Sequence, residues 1–210
     1  MRSLIRRLRL SLLGIISLTA MLAATLMMPT SASAAAPVKR SAALSGVTSV
    51  TTAPGIAATL LKAGILPLPV LPQTHFSLGF QHGLNVTYGF PITGGDPSLA
   101  TVSGDILHSG GIYFVNLRGK HLAVTNFDID LAAGKVYATR VNGASAKVAL
   151  LDLDLSGLKV SSRTGATVLS GITLRLDPAG AGALNSTFGV SLPTNGSLVF
   201  GTAVVTLCAS

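Results

Sequence analysis

Phe127-Asp128-Ile129-Asp130-Leu131 and Leu151-Asp152-Leu153-Asp154-Leu155 each alternate apolar and acidic side chains without a break. In an extended chain successive side chains point to opposite faces, so each stretch gathers Phe, Ile or Leu on one side and Asp on the other. Both read as strands with one face on a core and one in water. A helix would need the apolar residues three and four apart.

Outward from these stretches the same grammar continues. From about His75 onward, runs of four to nine residues rich in Val, Ile, Leu, Phe, Tyr and Thr are separated by turn signals. These are Gly94-Gly95-Asp96-Pro97, Ser109-Gly110-Gly111, Arg118-Gly119-Lys120, Ala133-Gly134, Asn142-Gly143, Thr164-Gly165 and Asn195-Gly196. Turns at such regular spacing indicate antiparallel strands in a sandwich or a barrel. Composition agrees: all seven acids are Asp and Glu is absent, which removes a strong helix former.

One helix stands out. Asp177 suits an N-cap, Pro178 the first helical position, Leu184 and Phe188 share a face, and Gly189 supplies a left-handed stop. The spacing predicts a short helix between the strands Ile172-Thr173-Leu174-Arg175-Leu176 and Val190-Ser191-Leu192. A similar order begins at Gly46-Val47-Thr48 and runs through Pro54, Leu60 and Gly64 to Ile65-Leu66-Pro67. If this is a repeat, a strand–helix–strand unit stands at each end and the domain starts near residue 44.

The N-terminus has a different character. Arg2, Arg6, Arg7 and Arg9 precede an apolar run from Leu10 to Met28, and small residues follow at Ala32-Ser33-Ala34. That is the order of a cleavable secretory signal, residues 1–34. An uncleaved anchor is the competing reading, but Ser11, Gly14, Ser17, Thr19 and Thr25 interrupt the run. Residues 35–43 read as a spacer and 44–210 as one β-rich domain. The localisation expected is secreted or extracellular, with retention at the cell envelope and no stable membrane span after cleavage.

The 210-residue chain without its first 34 keeps 176 residues, enough for one domain with its own core. Four of the fifteen Lys and Arg lie in the first 34 residues, so eleven against seven acids leave +4. These cations are scattered and not interleaved with aromatics, which excludes a nucleic-acid groove. The single cysteine, Cys208, has no partner within the chain for a disulfide.

Little chemistry is legible. The paired aspartates have no Asp-x-Asp-x-Asp-Gly loop for calcium, and read as solvated strand faces balanced by Lys135, Arg140, Lys147 or Lys159. The histidines, His75, His82, His108 and His121, lack zinc-site spacing, so no metal site is expected. No nucleophile elbow, phosphate loop or dinucleotide fingerprint occurs, and the chain is not expected to be an enzyme. Tyr88, Tyr113 and Tyr137 sit in strand runs, where an aromatic is ordinarily a packing residue.

Residues 104–207 resemble the HtaA domain family, secreted or cell-surface modules that take part in haem uptake in Gram-positive bacteria. The resemblance is carried by His108-Ser109-Gly110-Gly111 with Lys120-His121-Leu122-Ala123-Val124-Thr125-Asn126-Phe127, and by Leu151-Asp152-Leu153-Asp154-Leu155-Ser156-Gly157. Its strongest part is Leu169-Ser170-Gly171-Ile172-Thr173-Leu174 with Asp177-Pro178-Ala179, Ala183-Leu184-Asn185, Phe188-Gly189 and Gly201-Thr202-Ala203-Val204-Val205. It implies an antiparallel two-sheet β-sandwich with one or two short helices, and haem held by a Tyr ligand with a supporting His. The family's ligand Tyr lies in an N-terminal helical segment after a Trp-Gly start. This chain has no Trp, and Ala57-Ala58-Thr59-Leu60-Leu61-Lys62 at the matching place. His108 or His121 matches the supporting His, and Tyr113 is the tyrosine nearest them. The function expected is a non-enzymatic HtaA-like binding or surface module. The alternatives are a haem-binding protein with a relocated ligand, and a structural or adhesive envelope protein with no small ligand. Haem or an envelope component is the partner implied.

Overall fold

The computed structural model describes residues 44–80 and 83–208. The secretory signal and the spacer expected over residues 1–43 lie outside them. In chain order the elements are β1 (Ser45–Thr52), α1 (Ile56–Lys62), β2 (Ile65–Pro69), β3 (His75–Gly79), β4 (Asn85–Gly95), β5 (Asp105–His108) and β6 (Gly111–Asn116). They continue with β7 (His121–Asp130), β8 (Lys135–Val141), β9 (Ala144–Asp154), β10 (Lys159–Arg163), β11 (Ala166–Leu176), α2 (Pro178–Phe188) and β12 (Val199–Cys208). Among the described residues no helix is long and apolar enough to cross a membrane.

The all-β class holds, but the two-sheet sandwich does not. Strands β1, β4, β5, β7, β8, β9, β11 and β12 pair antiparallel in that order, and β12 returns to β1, so eight strands form one closed barrel. Alternation marks a strand with one buried face and does not say whether the sheet's two ends meet. Glycine makes the closing seam. A Cβ on Gly46 would lie 1.9 Å from the Thr206 carbonyl oxygen, and one on Gly201 would lie 2.1 Å from that of Thr51. Only a residue without a side chain lets β1 and β12 approach and coil this tightly.

Among the described residues four strands lie off the ring: β6 on β7, β2 on β6, β3 on β4, and β10 on β11. Strand β7 changes partners along its length, facing β6 over its first half and β5 over its second. The change falls at Asn126, whose φ of 55° is left-handed. There the buried set shifts from Leu122 and Val124 to Phe127 and Ile129. Asn tolerates this conformation better than other residues with a Cβ.

Helix α2 forms as its local chemistry dictates. The Asp177 carboxylate accepts the Ala179 amide at 2.7 Å, and Gly189, at φ 72°, closes the last turn on the Asn185 carbonyl. Ala181, Leu184 and Phe188 are buried. Lys135 fastens the helix to the barrel, its ammonium lying 2.5 Å from Asp177 and 2.6 Å from Asp152. Burial works to raise the Asp177 pKa, but the Lys135 ammonium and the Ala179 amide outweigh it and hold this carboxyl below its ordinary value.

Other expectations are corrected. Gly94-Gly95 is no turn: both belong to β4, beside a bulge between Ile92 and Gly94. Val190-Ser191-Leu192 is not a strand, because the Asn185 side-chain amide takes both backbone groups of Leu192, at 2.7 and 2.9 Å. The repeat therefore keeps its strand and helix at each end, and both first strands flank β12, but only the N-terminal unit has a strand after its helix. The aspartate faces find Lys135 and Lys147 as expected, while Arg175 stands beside Asp154. Among the described residues Arg140 and Lys159 make no ion pair with them.

Candidate functional site: a barrel interior and an outer tyrosine–histidine face

His108 comes from β5, where Ile106 and His108 point into the barrel and Asp105 and Leu107 point out. Thr48 comes from β1, whose inward series is Thr48, Val50 and Thr52. Ring closure brings the two together, with Thr48 Oγ1 2.7 Å from His108 Nε2. His108 Nδ1 lies 3.3 Å from the Phe127 carbonyl oxygen. A carbonyl can only accept, so Nδ1 carries the hydrogen and Nε2 accepts from the Thr48 hydroxyl. Burial pushes the His108 pKa down to about 4; the carbonyls of Phe127 and Ile106 and the charge of Asp128 pull weakly the other way. At neutral pH this imidazole is uncharged.

Both side chains line a cavity of about 90 Å³ inside the barrel. Among the described residues they are its only polar side chains; the rest of the wall comes from residues such as Phe90, Phe114, Phe127, Leu151 and Leu174, and α2 contributes Leu184. A neutral, internally satisfied polar pair in an apolar wall suits an uncharged guest. It holds half of a nucleophilic constellation. An oxyanion would also need free N–H donors, which strand backbone committed to the barrel ladder does not offer.

The other two expected site residues lie on the opposite face of the sheet. In β6, Ile112 and Phe114 are buried and Tyr113 points away from them. His121 opens β7 and is exposed. Their rings stack with centroids 5.5 Å apart and planes 18° from parallel. Leu68, opposite Tyr113 on β2, is exposed as well, and Arg118 and Lys120 lie in the adjoining turn. The structure thus brings Tyr113 and His121 together and leaves His108 apart from both. Tyr88, almost wholly buried, donates to the Pro67 carbonyl at 2.9 Å, and burial pushes its hydroxyl pKa up. Tyr137 lies under the Lys147 ammonium. Among the described residues no group of three or more His, Cys, Asp or Glu side chains is placed to hold a metal ion.

Sequence reading missed Thr48 and Thr74. Thr74, also buried, brackets Gly111, accepting its N–H at 2.8 Å and donating to its carbonyl at 3.0 Å, and so fixes the turn that carries His108. Strand parity on β1 was the only available signal for Thr48. For Thr74 there was none.

No family model and no curated protein matches the chain. Among solved structures it is similar to the C-terminal domain of HtaA from Corynebacterium glutamicum, at 15% identity and a TM-score of 0.44, over 78% of this chain and 99% of that one. It is also similar to the domain-swapped dimer of a histidine-to-alanine variant of that domain, at 16% identity and a TM-score of 0.41, over 72% and 92%.

Proposed function

We propose that the chain is a secreted or envelope-associated, non-enzymatic binding module of HtaA-like type, and that its barrel interior takes a small, uncharged, apolar ligand. The cavity carries this reading. An envelope protein with a purely structural role gains nothing from an empty apolar space, because voids in a packed core are destabilising. Its volume of about 90 Å³ is below the roughly 150 Å³ that holds a benzene in an engineered cavity, so a slim or short apolar group is the natural occupant. The test is a thermal melt with saturating small apolar probes, comparing the natural protein with Ala203→Leu, which fills the wall at a buried position. A rise in the melting temperature that Ala203→Leu abolishes supports the reading. No rise with any probe leaves the structural alternative.

The Tyr113–His121 stack favours a second reading, in which haem is held on the outer face. The interior is far too small for a porphyrin, since pockets for drug-sized ligands begin at roughly 300 Å³. The outer residues fit the group: Tyr113 offers a phenolic oxygen, a hard donor suited to ferric iron, His121 lies against its ring, and Arg118 and Lys120 could meet propionates. Bound haem would supply iron for transport. Adding hemin to the protein beside Tyr113→Phe, His121→Ala and His108→Ala tests this. A stoichiometric endpoint with a phenolate-type spectrum, lost only in the first two variants, supports it. Broad changes indifferent to all three remove haem.

A further inference from the structure

Of the four strands outside the ring, β6 is paired on both sides, and among the described residues the other three pair on one side only, β2 with β6, β3 with β4 and β10 with β11. An unpaired edge is an invitation to another strand, and proteins blunt it with proline or charge. Strand β2 carries Pro67 and Pro69, and β10 carries Lys159 and Arg163. Strand β3, His75-Phe76-Ser77-Leu78-Gly79, has neither device.

The backbone shows which groups are free. The Val86 amide donates toward β1, to the Thr52 hydroxyl, and the Pro91 carbonyl accepts from Ser109 on the other side. Alternation then aims Asn85, Thr87 and Gly89 at β3, and their register partners there are Gly79, Ser77 and His75. These three face β4, so the N–H and C=O groups of Phe76 and Leu78 point to the open edge. The side chains of the same two residues lie on the side of the sheet that holds Tyr88 and Val86, which are 1% and 5% exposed. Phe76 and Leu78 are nevertheless 45% and 52% exposed, because the edge ends at β3 and no other described residue covers them.

We propose that β3 is an interface on which a second copy of this chain adds antiparallel, about a two-fold axis through Ser77. The strand is self-complementary in that register. Phe76 falls opposite the second copy's Leu78, and the reverse, so both free residues exchange backbone hydrogen bonds and the exposed side chains form two aromatic–aliphatic cross-strand pairs. Ser77 meets its own copy in a pair without hydrogen bonds, and no charge is brought against its like. An isologous contact of this kind closes at a dimer.

Sedimentation velocity of the purified protein over a hundredfold concentration range should show a monomer–dimer equilibrium. Leu78→Pro removes an amide that β4 does not use, so the barrel keeps its ladder while the dimer loses two N–H donors. Its dissociation constant should rise roughly thirty-fold. Leu78→Lys, which places the guard found on β10, should weaken the dimer likewise, and a thermal melt of each variant confirms that it folds. In a Cys208→Ser background, Ser77→Cys should cross-link on oxidation, since non-hydrogen-bonded partners stand about 4.5 Å apart at Cα. A monomer at every concentration overturns the proposal. So does a dimer that survives both Leu78 variants, or one that Ser77→Cys does not cross-link.

Discussion

His108 should make the protein's stability depend on pH over a window no carboxylate shares. Its pKa is about 4 in the folded chain against 6.5 for an ordinary histidine. Between those values the unfolded chain binds a proton that the folded chain refuses, so stability rises with pH there. It is fully present above about pH 7 and falls as the solution is acidified. At about 1.4 kcal/mol per pH unit, the gap amounts to about 3 kcal/mol by pH 4. Against a total of roughly 5–15 kcal/mol for a domain, that is a large share. Asp154 is held below its ordinary 3.8 by the Ser156 hydroxyl and amide, and Asp177 is also held below it. What those two contribute is present above 3.8 and lost only below it. Urea unfolding from pH 4.5 to 8 isolates the histidine. The natural protein should lose stability steadily below pH 6.5, and the double variant Thr48→Val with His108→Leu, which removes the hydroxyl and the imidazole together, should be flat. Thr48→Val alone should cost about 1–3 kcal/mol at neutral pH, because Nε2 then has no donor. A natural protein flat over this range, or a double variant with the same slope, would refute the buried, neutral assignment.

The remaining predictions concern the frame. Gly46→Ala should cost on the order of 4 kcal/mol or more, because the new Cβ meets the Thr206 carbonyl at 1.9 Å on a backbone with φ 135°; thermal unfolding reads this directly. At Asn126, Val should cost about 1–2 kcal/mol while Gly should be nearly neutral, since the penalty comes from a Cβ at φ 55°. Equal losses in urea melts would locate the effect in the side chain instead. Lys135→Met should cost about 2 kcal/mol at neutral pH, discounted because the lysine is a third exposed, as it leaves the buried Asp177 charge with only its capping amide. The same loss in Lys135→Met and Asp177→Asn, and no further loss in the double variant, would confirm a single unit.

What could be read from the chain and what could not divides by distance along it. Helix α2 was legible because Asp177, Pro178 and Gly189 act within a few residues of themselves, and Asn142-Gly143 was legible because both residues take positive φ in a two-residue hairpin between Val141 and Ala144. Closure was not, because it requires β12 to meet β1 from the far end of the chain. The glycines that permit it are ambiguous in sequence: Gly95 looks like a turn residue, yet its freedom serves a close approach, a Cβ there lying 2.2 Å from the Asp105 carbonyl oxygen. The candidate site divides the same way. Strand parity on 111–116 and 105–108 was sufficient to put Tyr113 on the opposite face from Phe114 and to put His108 beside Ile106. It could not supply Thr48, sixty residues away, which turns an isolated core histidine into a neutral, satisfied pair on the wall of a cavity. The two histidines matched by resemblance therefore face different chemistry: His121, exposed beside an aromatic hydroxyl, can meet a charged or metal-bearing partner, whereas His108 can meet only what enters an apolar interior uncharged.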